Sequence, residues 1–298
     1  MSPRTFLYLT AFSTGAAVMA AELGASRLVA PFYGTSTPVW ALLIGTVLSS
    51  MAVGQLLGGW LAARTRSIRP LGLLLLASAA LLALLPVVAR PIMGGSLEIM
   101  RHGAVGALAA SAVGVTAVLA LPMLVLGAAG PMLIHQAVET REATGQVAGR
   151  LYALGTAGSL VGTWLSGLFL VPLLGSTSTL WLCAAGLAGI GVVGLERGAP
   201  RRLALAAVLA TATGLALTPR GPVKDRPGAI HEQETRYNYV QVTENGNVRS
   251  LYLNEGYATQ SVYLLDGSLL SRRGIDAPGA EKVGPEAWRA LSKRRDDR

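Results

Sequence analysis

Leu71-Gly72-Leu73-Leu74-Leu75-Leu76-Ala77-Ser78-Ala79-Ala80-Leu81-Leu82-Ala83-Leu84-Leu85-Pro86-Val87-Val88-Ala89 runs without a charge between Arg69 and Arg90. As a helix rising 1.5 Å per residue it covers about 28 Å, close to the ~30 Å hydrocarbon core of a bilayer. Working outward in both directions gives candidate spans at 6–28, 38–63, 70–90, 103–134, 151–174, 177–195 and 203–218. The expected fold is therefore an all-α polytopic membrane bundle of about seven transmembrane helices, over residues 1–218. The first run follows Arg4 in the manner of a signal peptide, but it contains Glu22 and leads into further spans, so it reads as retained.

Composition supports this. The 298 residues are 52% hydrophobic and 14% charged, about half the charged fraction of an ordinary soluble protein, which excludes a soluble reading. Residues 1–220 hold five acids (Glu22, Glu98, Glu139, Glu142, Glu196) and no Asp or Lys; the remaining 78 hold eleven acids and twelve bases. The net charge of +9 comes mostly from Arg at the edges of apolar runs, which reads as topology and lipid contact rather than nucleic-acid binding. Arg4, Arg64, Arg66, Arg69, Arg141, Arg150, Arg197, Arg201 and Arg202 fall on one side; Arg27, Arg90 and Arg101 fall on the other. This bias predicts a multi-pass protein with a cytoplasmic N-terminus. The last segment, 203–218, is only 16 residues long, so the side of the tail stays open.

Within the spans three features stand out. Segment 103–134 is too long for one upright crossing, and Pro122 together with Gly127-Ala128-Ala129-Gly130-Pro131 should kink or break it. Gly54/Gly58 and Gly158/Gly162, each pair spaced by four, allow close helix approach, within one bundle or at a homo-oligomer seam. Glu22 lies well inside the first span, with Arg27 five residues on. That separation leaves the two side chains some 140° apart on the helix, so a direct pair requires a bend or snorkelling. Glu22 reads either as a proton, ion or substrate contact or as a polar staple between helices. Cys183 is the single cysteine, and His102, His135 and His231 lack ligand spacing, so no metal site is expected.

Residues 219–229 hold Pro219, Pro222 and Pro227 and no apolar period, so they form a linker. Two alternating runs follow, Tyr237-Asn238-Tyr239-Val240-Gln241-Val242 and Val248-Arg249-Ser250-Leu251-Tyr252-Leu253, around Glu244-Asn245-Gly246-Asn247. Asn245-Gly246 between such runs signals a β-hairpin, which needs neighbouring strands or a partner to be stable in water. The expected division is a membrane domain 1–218, a linker 219–229, a small partial β-domain 230–263, and a tail 264–298 without a folding pattern.

The run from His231 to Val242, with Leu251-Tyr252-Leu253-Asn254-Glu255-Gly256 and Gln260-Ser261-Val262-Tyr263, resembles the N-terminal β-hairpin region of spermidine synthase-like aminopropyltransferases. Residues Glu22 to Trp40, Pro122 to Pro131 and Gly149 to Ser159 resemble the multi-span module fused to such domains in bacterial membrane proteins. The resemblance covers about 1–263 and implies polyamine biosynthesis by aminopropyl transfer, with decarboxylated S-adenosylmethionine as co-substrate. It also implies a Rossmann-type catalytic domain after the hairpins, bearing a glycine-rich nucleotide loop and acids that hold the amine. After Tyr263 neither pattern is found, so this chain is expected to bind no cofactor and to be inactive alone, through truncation or a frameshift near codon 264 or through separate encoding of a catalytic subunit. Soluble members place a substrate-contacting Gln three residues after Asp-Gly; here Gln260 follows Glu255-Gly256 by four. Gln260 and Tyr237 are the substrate-binding candidates the resemblance supplies, and both also read simply as strand residues. Two rival expectations stand: a transporter for a cation or polyamine using Glu22, and a membrane anchor for a separate Rossmann-type subunit.

Overall fold

The structure is a computed structural model that describes residues 3–65, 67–100, 103–138, 144–195, 226–235, 238–254 and 259–265. Helices α1 (Pro3–Tyr33), α2 (Thr37–Ala62), α3 (Arg69–Met100), α4 (Gly103–Gly127), α5 (Ala129–Ala137) and α6 (Thr144–Leu165) come first. A π-helical turn, Ser166–Leu170, then joins α6 to α7 (Val171–Leu174), and α8 (Ser176–Val193) follows. Six segments among the described residues, not the expected seven, are long and apolar enough to span a membrane. The seventh expected segment, 203–218, lies outside the described residues, as does most of the expected tail and linker.

The outer surface is apolar: Leu56, Val105 and Leu173 are more than three-quarters exposed. Side chains of this kind have no solvent but lipid, so the protein is membrane-embedded. Packing arranges the spans as an arc in the order α6, α1, α8, α3, α4, α2. Glycines set the closest approaches. Gly158 and Gly162 of α6 lie against the backbone of Phe12 and Ala16 of α1, and Gly54 and Gly58 of α2 lie against Leu124 and Ala128. Both glycine pairs are thus used inside one bundle, and each joins two helices running in the same direction. α8 runs antiparallel to α3, and Trp181 donates its indole N–H to the Ala83 carbonyl at 2.9 Å across that seam.

Two helix ends differ from expectation. α3 continues through Pro86, Arg90 and Pro91 to Met100 instead of stopping at 90. A proline removes one amide donor, and neighbouring spans compensate for that loss inside a bilayer. For the same reason Pro122 stays within α4, and the break falls at Ala128, between Gly127 and the Gly130-Pro131 pair.

The β-region is more than a hairpin. Strands β1 (Ala229–Glu234), β2 (Tyr239–Asn245), β3 (Val248–Leu253) and β4 (Thr259–Leu264) form an antiparallel sheet in sequence order. β1 takes the last residue assigned to the linker, and β4 takes Leu264, which pairs with Val248. The β2–β3 turn centres on Gly246 and Asn247, one residue later than the Asn245-Gly246 reading, because Asn245 pairs with Val248. Gly246 supplies the positive φ of 60° that the first position of such a turn requires. β2 packs on α1, and Tyr239 joins the apolar core of the bundle.

Asn254 closes β3. It is the one non-glycine residue with positive φ (50°) among those described. Its side-chain oxygen accepts the Tyr239 N–H at 3.2 Å, and its amide donates to Asn238 at 3.1 Å. Asn254→Ala is expected to cost about 1–2 kcal/mol, through lost bonds and left-handed backbone. Amide hydrogen exchange at Tyr239 should quicken about tenfold; unchanged protection would refute the role given to this side chain.

Candidate functional site

Two cavities flank the middle of α1 along one of its faces. The larger, about 230 Å³, lies where the arc of helices opens between α2 and α6, in the half of the bundle where α2 ends and α6 begins. Its polar lining is Thr14, Gln55, Tyr152, Thr156 and Ser159, and Gly127 and Gly130 border it at the break between α4 and α5. The smaller, about 160 Å³, lies toward the opposite end and is lined by Ser26, Arg27, Thr35 and Trp40 among others.

Local structure explains the polar positions. Tyr152, Thr156 and Ser159 follow one another by four and three residues and so share a face of α6. Ser159 donates to the Gly15 carbonyl at 3.2 Å, and Thr14 donates to Thr10 of its own helix at 2.8 Å. Gln55, Tyr152 and Thr156 have no hydrogen-bond partner among the described residues and are exposed toward the opening. Such groups cost several kcal/mol each when left unsatisfied in hydrocarbon, so an outside partner is required.

Glu22 stands between the cavities. It is four residues, about 6 Å along the helix, from Val18 in the larger cavity and from Ser26 in the smaller. It is half-buried, and nothing among the described residues bonds to it. Arg27 lines the smaller cavity and has interactions of its own, so the two do not pair. Gly162 of α6 lies against Ala16, and Gly167 of the π-helical turn lies against Leu23, which puts Ser166 at the level of residues 20–22. Ser166 is fully buried, its hydroxyl has no hydrogen-bond partner among the described residues, and it opens the π-helical turn. Turns of this type inside helices are frequent at functional sites.

On the sheet, Gln260 is exposed on β4, and Tyr237 lies outside the described residues. The pairing of these two resemblance-derived candidates thus falls outside the described residues. A cluster forms around Tyr252. A hydrogen bond with Thr259 holds its hydroxyl below the usual tyrosine pKa; Ser250 and the Arg226 guanidinium act in the same direction, and burial opposes them. Arg226 lies 3.9 Å over the ring. Among the described residues no three His, Cys, Asp or Glu side chains are placed to share a metal ion.

The intramembrane polar set was partly visible beforehand. Gln55 is the one amide side chain of α2, and the 152/156/159 spacing is a helix face, but only the fold shows that they meet. Ser166 gives no signal in the sequence. No family model matches the chain, and comparison with curated proteins and with solved structures finds no match either.

Proposed function

We propose that the chain is the membrane module and small β-sheet of a bacterial spermidine synthase-like protein. It sits in the inner membrane with its N-terminus in the cytoplasm and acts as a platform rather than as an aminopropyltransferase by itself. One observation supports this reading above others. The segment whose sequence resembles the aminopropyltransferase hairpins folds as an antiparallel sheet, and β4, which carries Gln260, is paired on one side only among the described residues. An edge strand offers unpaired N–H and C=O groups for strand addition. The family's nucleotide-binding domain, in cis or in trans, would meet the sheet there and bring decarboxylated S-adenosylmethionine to the amine.

Purified chain incubated with decarboxylated S-adenosylmethionine and putrescine should yield no spermidine above background; formation of spermidine overturns the platform reading. A photo-cross-linker placed at Gln260 should capture a spermidine synthase nucleotide-binding domain supplied in trans. Absence of the adduct at saturating domain counts against docking at β4.

A second reading, passage of a cation or polyamine through the bundle, is favoured by the position of unpaired Glu22 between two cavities beside a broken helix. Under it, Glu22→Gln abolishes polyamine flux in cells at normal protein level; unchanged flux leaves Glu22 a packing residue.

A further inference from the structure

We infer that the crevice between α2 and α6 binds a neutral, carbonyl-bearing lipid that enters sideways from the bilayer. The site is independent of the family reading above.

Access comes first. The exposed residues of the lining, Gln55, Tyr152 and Thr156, lie on α2 and α6, the two end helices of the arc, so the crevice is taken to open between them onto the apolar exterior. Gln55 lies seven residues from the end of α2, and Tyr152 lies eight from the start of α6. At 1.5 Å per residue both sit about 10–12 Å in from their helix ends, a depth that places them below the headgroups. Molecules dissolved in the bilayer reach this depth directly.

Chemistry comes next. The unpartnered groups are an amide, a phenol and a hydroxyl, each able to donate a hydrogen bond. Carbonyl oxygens, strong acceptors that need no donor in return, satisfy them without bringing a charge into hydrocarbon. Among the described residues no Asp, Glu, Lys, Arg or His lines the crevice, and Glu22 lies outside it. A polyamine or a phosphate would arrive there with nothing to neutralise it. The crevice is thus distinct from any cation route through Glu22.

About 230 Å³ is smaller than the ~300–1,000 Å³ of a site that engulfs a drug-sized molecule. It admits a ring or a glyceride ester region, with the tail left in lipid. A side chain at Gly130 would meet nothing within 4 Å, so the crevice has unfilled space at the helix break.

The carbonyls belong either to a prenylated quinone ring or to the esters of a neutral glycerolipid, and two probes separate these sources. Delipidated protein is titrated with decyl-ubiquinone and with dioleoylglycerol, and bound lipid is counted by native mass spectrometry. The expected result is saturable binding of one probe at one per chain. Affinity should fall at least tenfold in Gly130→Leu, which plugs the space, and in Gln55→Leu/Thr156→Val, which removes the donors. Gly94→Leu, another glycine with open space around it but outside the crevice, should bind as wild type does. All these positions face open space, so the variants are expected to fold, and thermal unfolding checks this. Binding of neither probe, equal affinity in all variants, or displacement of the bound probe by spermidine overturns the proposal.

Discussion

Gly158→Leu separates α1 from α6. A β-carbon at this position would fall on the carbonyl oxygen of Phe12, and the obstacle is backbone that cannot rotate away. Gly162 meets Ala16 in the same manner one turn later, so the seam has no slack along its length. Overpacking a close-packed interior costs about 1–3 kcal/mol when side chains can adjust; against backbone the expected loss is at the top of that range or beyond it. For a chain of this size that corresponds to a melting temperature lower by roughly 6–12 °C. Gly54→Leu should act similarly on the α2–α4 seam, where the obstacle is the Leu124 carbonyl. Gly186→Leu, on α8 with no atom within 4 Å of the added carbon, is the neutral control. Thermal unfolding in detergent micelles decides the matter: equal melting of Gly158→Leu and Gly186→Leu would refute the packing described.

Glu22→Leu, by contrast, should make the protein more stable. Its carboxylate lies inside a span with no bonding partner among the described residues, and a carboxylate in that setting costs at least ~2.5–3.5 kcal/mol on insertion scales. Because the side chain is only half-buried, the gain expected from leucine is smaller, about 1–2 kcal/mol, or a rise of a few degrees in melting temperature. A staple between helices behaves in the opposite way, since removing one partner strands the other. A fall in melting temperature for Glu22→Leu would therefore show that the carboxylate holds the bundle together. A rise, coupled with loss of whatever the protein transports or binds, is the pattern of a residue kept for function at a cost in stability.

The spans were legible where apolar length alone decides them. Segment 38–63 is α2 to within a residue, and 177–195 is α8 to within two. Length fails where helix continues into polar or proline-bearing sequence, as α3 does beyond Arg90, because an arginine near the membrane surface does not end a helix. The glycine pairs announced close approach, and the asparagine–glycine turn announced a hairpin, both through backbone geometry that few residues permit. The candidate site was less legible for a different reason. Gln55 and Thr156 are about a hundred residues apart and become neighbours only through the order in which the helices pack. The turn at Ser166 depends on one extra residue being absorbed in the helix, which periodicity does not record.

The same-direction pairing of α1 with α6 has a consequence in time. Phe12 and Gly158 are separated by 146 residues, so α1 leaves the ribosome long before its closest partner exists. At roughly 5–20 residues per second, the interval is on the order of ten seconds. During it the nascent first span, with its carboxylate, must be sheltered by the insertion machinery or by temporary neighbours. The bundle cannot be built by adding each new span to the last; α1 must wait for α6, made after four intervening helices.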